Sequence, residues 1–233
     1  MKRTGLLWMA VVAVITVGCS RSETPKTQGA EQQRPAAIGT GGAASNDVKS
    51  DDDFVRDVAI MNMAEIELSR IALAKGTSPD VKSFAQRMID DHGAAGDKLK
   101  SAVGGSRIEW PAQLDDKYRK NVDELAKKQG SDFDRDYAEA MVHGHQDLAA
   151  RLESRLDLQS VTDWKAAAAG RTQTKAMPEP KAEMGDVGVR PEKSDNALTG
   201  KINQWAADTY PLTQKHLDTA RTLENAAKKR STN

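Results

Sequence analysis

Along residues 81–99, apolar side chains return every three or four positions: Val81, Ala85, Met88, Ala95 and Leu99. That spacing is the stripe of an amphipathic helix with one buried face. Upstream, Phe54, Val58, Met61, Leu68 and Ala72 step in the same way and predict a helix over about Asp52 to Lys75. The intervening "GTSPD" breaks the pattern, with Gly76 as a C-cap and Ser78-Pro79 opening a second helix that runs to about Val103. After the loop "GGSRIEWP", Asp115 to Lys128 reads as a helix ending at Gly130. The next one, "SDFDRDYAEAMVHGHQDLAARLESRL", is expected to start with Ser131 or Asp132 as its N-cap. Its stripe is Tyr137, Met141, His145, Leu148 and Leu152. Periodicity is lost over residues 166–195, where Pro178, Pro180 and Pro191 with Gly170, Gly185 and Gly188 predict an exposed, mobile, disordered insertion. A final helical region spans about Ala197 to Lys228, with Ile202, Trp205, Thr209, Leu212, His216, Ala220 and Leu223 on its stripe. Pro211 is expected to kink or restart it, because proline removes a helix hydrogen bond.

No strand pattern and no internal repeat emerge. Only 4% of the residues are aromatic while 29% are charged, a balance that favours helices over sheets. The pattern predicts an all-α domain over residues 51–230: an up-and-down four-helix bundle with one extra helix. Lys plus Arg and Asp plus Glu are equal at 34 each. That balance gives no electrostatic reason to expect nucleic acid as a partner.

The first 19 residues, "MKRTGLLWMAVVAVITVGC", stand apart from this pattern. Lys2 and Arg3 precede an apolar run from Leu6 to Val17, the layout of a secretory signal peptide and short for a membrane span. The run ends at Cys19, the single cysteine of the chain. "TVGC" resembles a bacterial lipobox, although Thr16 stands where such motifs usually carry Leu. A lipid on Cys19 would anchor the mature chain to the membrane. A lone cysteine also leaves no internal disulfide to stabilise the fold. Residues 20–50 hold almost no large apolar side chains and read as a disordered tether, reaching about 30 Å as a flexible chain.

Chemistry enters where polar residues sit on apolar stripes. Of four histidines, His92, His145 and His216 lie on the stripes of three different helices, and Glu65 lies on that of the fourth. Counted from a turn centred near Ser78, Glu65 is about as far back as His92 is forward, so a helical hairpin places both in one layer. Three imidazoles and a carboxylate suit one transition metal ion, Zn, Fe, Mn or Cu. Asp91 is a candidate to orient such a ligand from outside. The alternative is a hydrogen-bonded polar layer that sets register and holds nothing. Asp136, Glu139, His143 and Asp147 line another side of their helix and read as a solvated charged face. Glu67 points away from the stripe of Glu65.

"AEIELSRIALAKGTSPDVKSFAQRMIDDH" resembles the opening hairpin of a bacterial family of unknown function whose members are described as outer-membrane proteins. "GSDFDRDYAEAMVHGHQDL" and "WAADTYPLTQKHLDTA" resemble later segments of the same family. The resemblance implies a ferritin-like fold and an acidic position at Glu65 or Glu67, with histidines at His92, His145 and His216. Ser69 stands where many members carry Gly, and the insertion is a larger departure. Di-iron bundles carry Glu-x-x-His on two helices, whereas the residues three before these histidines are Ile89, Val142 and Thr213. A ferroxidase centre is therefore not expected.

The resulting expectation is an outer-membrane lipoprotein with its domain in the periplasm, non-enzymatic, binding one metal ion; a soluble periplasmic or secreted form is the alternative location. A mononuclear metal-dependent oxidoreductase at the same residues, or a metal-free interaction module, are the rival functions. A homodimer is compatible with each.

Overall fold

The computed structural model describes residues 43–171 and 188–231. They form six helices: α1 (Ala43–Lys75), α2 (Pro79–Ala102), α3 (Asp116–Ala126), α4 (Gly130–Glu153), α5 (Leu158–Arg171) and α6 (Ala197–Ser231). The fold is all-helical; among the described residues the only β pairing is an isolated bridge between Leu156 and Pro191. No helix there is long and apolar enough to cross a membrane. Cys19, most of the expected tether and residues 172–187 lie outside the described residues.

The four long helices pack in a ring, α1 against α2 and α4, and α6 against the same two. The predicted stripes are what they bury. The apolar interior falls into two clusters, one around Phe54, Val58, Leu99, Leu152, Ile202 and Tyr210, the other around Leu68, Phe84, Met88, Phe133, Tyr137 and Leu223. Each long helix passes from one cluster to the other, and each carries a buried ionisable residue at the crossing. Glu65 lies between Met61 and Leu68, His92 between Met88 and Leu99, His145 between Met141 and Leu148, and His216 between Tyr210 and Leu217.

The order of crossing also gives the directions. Running from N to C, α1 and α6 go from the first cluster to the second, whereas α2 and α4 go from the second to the first. The order is therefore up, down, down, up, not the simple alternation expected from the sequence. The physical reason is the link between α2 and α4, whose extended stretches and α3 carry the chain back along the bundle. α3 itself packs on α1 and α4; it is shorter than the expected Asp115 to Lys128, with Asp115 as its N-cap, accepting from Tyr118 N at 2.8 Å.

Several boundaries depart from the pattern. α1 begins at Ala43 rather than near Asp52, inside the stretch read as tether. α4 begins at Gly130 with Gln129 as N-cap, not at Ser131 or Asp132. Gly130 has φ of 61°, a left-handed conformation that glycine adopts without steric cost. α5 continues through Ala166 to Arg171, residues whose alanine-rich run shows no stripe but is strongly helix-forming. At the other end of the insertion, residues 190–192 are held in place. Asp157 N donates to Arg190 O at 2.9 Å, Glu192 N to Arg155 O at 2.8 Å, and Asn203 Nδ2 to Glu192 O at 2.8 Å. α6 runs through Pro211 as one helix without restarting.

Two buried carboxylates pin the ends of the ring. Asp134 of α4 accepts from Thr77 N (2.9 Å), Thr77 Oγ1 (2.6 Å) and Ser78 N (2.9 Å), closing the α1–α2 turn. Asp51 of α1 pairs with Arg155 and accepts from Thr199 Oγ1 at 2.7 Å, joining α1, the end of α4 and the start of α6. The Arg155 guanidinium also lies 4.5 Å over the Phe54 ring, a favourable cation–π placement.

Candidate metal centre

The layer between the two apolar clusters brings Glu65, His92, His145 and His216 together. The three imidazoles form a near-equilateral triangle, with ring centroids 5.3, 5.6 and 5.4 Å apart. One nitrogen from each lies within 4.8 Å of the others, close enough for all three to reach one metal ion. All three rings are buried, and His145 is wholly shielded from solvent.

Each ring has one nitrogen engaged with an outward acceptor. His92 Nδ1 lies 2.8 Å from Asn62 Oδ1, and the Asn62 amide is oriented by its own bond from Nδ2 to His92 O at 2.7 Å. His145 Nδ1 lies 2.8 Å from the carbonyl oxygen of Met141. His216 Nε2 lies 2.9 Å from Asp91 Oδ2. An amide oxygen, a carbonyl and a carboxylate accept only, so each of these ring nitrogens is the one that carries hydrogen. The second ring nitrogens are His92 Nε2, His145 Nε2 and His216 Nδ1. The first two face each other at 3.4 Å. Fixing the tautomer through an outer acceptor is how proteins present imidazole to metal ions.

Glu65 completes the layer. Its Oε2 is 3.0 Å from His92 Nε2 and its Oε1 is 3.3 Å from His145 Nδ1. Neither approach is aligned as a hydrogen bond, and both oxygens are buried without a hydrogen-bond partner. Burial opposes ionisation of this carboxyl, but attraction to His145, His92 and His216 outweighs it and holds its pKa at about 2. Burial pushes His145 down from the usual imidazole range, against the attraction of Glu65. Burial, with repulsion from His145 and His92, lowers His216 to about 4 despite the nearby Asp91. The lowered Glu65, His145 and His216 thus favour an ionised carboxylate and neutral rings on His145 and His216 at neutral pH, the ligand forms that metal ions need.

Room for the carboxylate comes from Gly144. A Cβ there would stand 2.5 Å from Glu65 Oε1. Gly96 does the same for Asn62, whose Nδ2 would lie 2.8 Å from a Cβ at that position. Tyr137 and Ser69 close the layer on one side through a 2.9 Å hydrogen bond.

All four residues singled out from the stripes therefore share one site, and Asp91 touches it through His216. Glu67 is exposed. His143 lies on the surface 3.9 Å from Glu139, consistent with the solvated face expected there. Asn62 and Gly144 were not singled out, although both left a signal. Asn62 sits four residues after Val58 and three before Glu65, on the same stripe. Gly144 is a glycine in a helix interior, where it costs about 1 kcal/mol relative to alanine.

No curated protein and no solved structure matches the chain. A family profile described as "Domain of unknown function (DUF4142)" matches residues 37–183, a span that contains Glu65, His92 and His145 and ends before His216. The chain belongs to the DUF4142 family.

Proposed function

We propose that this chain is a ferritin-like four-helix-bundle protein of the bacterial envelope that binds one transition metal ion through His92, His145, His216 and Glu65. The observation that carries the reading is the tautomer set. Three imidazoles each give one ring nitrogen to an outer acceptor, and His92 Nε2 and His145 Nε2 face each other at 3.4 Å beside a buried carboxylate without a hydrogen-bond partner. Unpartnered, that arrangement costs on the order of 1–3 kcal/mol for each neutral group and more for the carboxylate. One cation relieves all four groups at once.

The ferritin-like assignment is supported by the order of helix directions, since bundles of that kind have one long crossover between their two hairpins. The mixed N and O donors suit Zn, Fe, Mn or Cu, and a single core carboxylate is too few to bridge two irons. Anchoring through a lipid on Cys19, with the domain facing the periplasm of an outer membrane, rests on the signal-like N-terminus and "TVGC". Mass spectrometry after growth with labelled fatty acid tests that anchor, and an unmodified Cys19 would remove it.

Elemental analysis of the purified protein tests the metal. About one equivalent of a single metal is expected in the wild type, and its loss in His92→Ala and in Glu65→Gln. A wild type that takes up none of Zn, Fe, Mn or Cu would leave the layer as polar packing.

A further inference from the structure

The four donors do not surround the layer evenly. A cavity with about 10 Å³ open to a water's centre, roughly the space one water needs, adjoins it and is lined by residues of all four long helices. Its lining includes His92 and His216 but neither Glu65 nor His145. Carboxylate and cavity thus meet different parts of the imidazole cluster. We infer that a metal ion held by these residues keeps one coordination position turned toward this cavity, and that the position takes a neutral, water-sized ligand rather than an anion.

The inference rests on the metal reading above and adds the chemistry of the open position. The polar groups on the cavity wall are Asn62, Asp91, Thr209 and Thr213. Thr209 Oγ1 donates to Trp205 O at 2.7 Å and Thr213 Oγ1 to Thr209 O at 3.2 Å. Both hydroxyl hydrogens are therefore engaged, and what these side chains offer a ligand is oxygen lone pairs. Asp91 Oδ2 accepts from His216, leaving Oδ1. The Asn62 oxygen is engaged by His92, so only its second N–H can donate. The wall is mainly accepting, and at Asp91 it is negative. A water or another small neutral hydride ligates through its lone pair and donates its hydrogens to these acceptors. An anion such as azide would face lone pairs and a carboxylate instead. Val58, Ala95, Leu148, Leu212 and Trp205, whose Nε1 donates to Ala95 O at 3.0 Å, complete the wall with mainly apolar surface.

The test uses the full chain loaded with one equivalent of Mn²⁺, observed through the relaxation of bulk water protons. An exchangeable inner-sphere water is expected in the wild type. Ala95→Val, which adds two methyl groups at a partly buried position on the cavity wall, is expected to bind Mn²⁺ and lose that contribution. Thr209→Ile, on α6, serves the same purpose at a half-exposed position. With Co²⁺ in place of Mn²⁺, azide is expected to leave the visible bands of the wild type unchanged and to shift them in Asp91→Asn, where the repelling charge is gone. Stoichiometric Mn²⁺ without an exchangeable water would overturn the open position and leave the metal reading intact. Azide entering the wild type as readily as Asp91→Asn would overturn the selectivity. Failure to bind either ion would remove the metal reading itself.

Discussion

A Cβ on Gly144 would stand 2.5 Å from Glu65 Oε1, so alanine there must displace the carboxylate. Two effects compete. Alanine gains about 1 kcal/mol of helix propensity over glycine, while forcing a Cβ against the buried carboxylate costs about 1–3 kcal/mol as overpacking. For the metal-free protein Gly144→Ala should therefore change stability by no more than about 2 kcal/mol. Metal affinity has no such compensation and should fall at least about tenfold, read by competition with a chelating dye. Unchanged affinity would place Glu65 outside the coordination sphere. Asn62 acts one step further out, through the His92 ring. Asn62→Ala removes the acceptor that fixes the tautomer and should weaken metal binding by about 10- to 100-fold, the usual cost of losing such a partner. Asn62→Asp keeps an acceptor at the same place and should restore most of the affinity, an outcome that a purely structural role for Asn62 does not give.

At the scale of elements, α2 starts without a local cap. Ser78 occupies its N-cap position but makes no side-chain cap hydrogen bond. The acceptor comes instead from Asp134 of α4, 56 residues away in sequence. Asp134→Ala leaves Thr77 N and Ser78 N without it inside a buried turn. Hydrogen bonds to a charged group contribute about 1.5–3 kcal/mol each when lost, and a cap about 0.5–2 kcal/mol. With two backbone donors losing theirs, the expected loss is at least about 3 kcal/mol in urea unfolding, with Asp134→Asn losing less because one oxygen remains. Equal stability of Asp134→Ala and wild type would show that the turn is held by packing alone. The same contrast explains what the sequence reveals. The stripes of α1, α2, α4 and α6 are legible because burial recurs at helical spacing. The Glu65–His92 register is legible because each helix rises evenly from a shared turn. Asp134, Asn62 and the direction of α4 depend on where one element meets another, and a periodicity has no information about that. The alanine run of α5 has no stripe to read. Pro211 sits in α6 between Thr209 and Thr213, whose hydroxyls donate to the preceding Trp205 and Thr209 carbonyls, so local breaker chemistry did not decide the fate of that helix.

For the whole molecule, the polar layer divides the core, and each apolar cluster needs all four long helices to meet across it. Charging the layer should therefore weaken the entire bundle rather than one helix. His216 has a folded pKa of about 4 against an ordinary 6.5, and His145 is also lowered, both because burial disfavours the charged ring. Between these values the unfolded chain binds protons that the folded chain does not, so unfolding is favoured as pH falls. Stability from His216 is fully present above about pH 6.5 and is lost on the way down to about pH 4, and His145 acts in the same direction. Glu65, held at about 2 against 4.5, acts in the same direction at lower pH, losing its contribution between those two values. The metal-free protein should thus show a urea midpoint that declines through the first window and continues to decline through the second. His143→Ala should leave that profile in place, because its ring is exposed and far from the layer's contacts. A midpoint constant from pH 7 to pH 4.5 would mean that the imidazoles charge without cost. The helices would then have to separate locally and admit water to the layer, and hydrogen exchange at His92 and His145 would reveal it as early opening of the middle of α2 and α4.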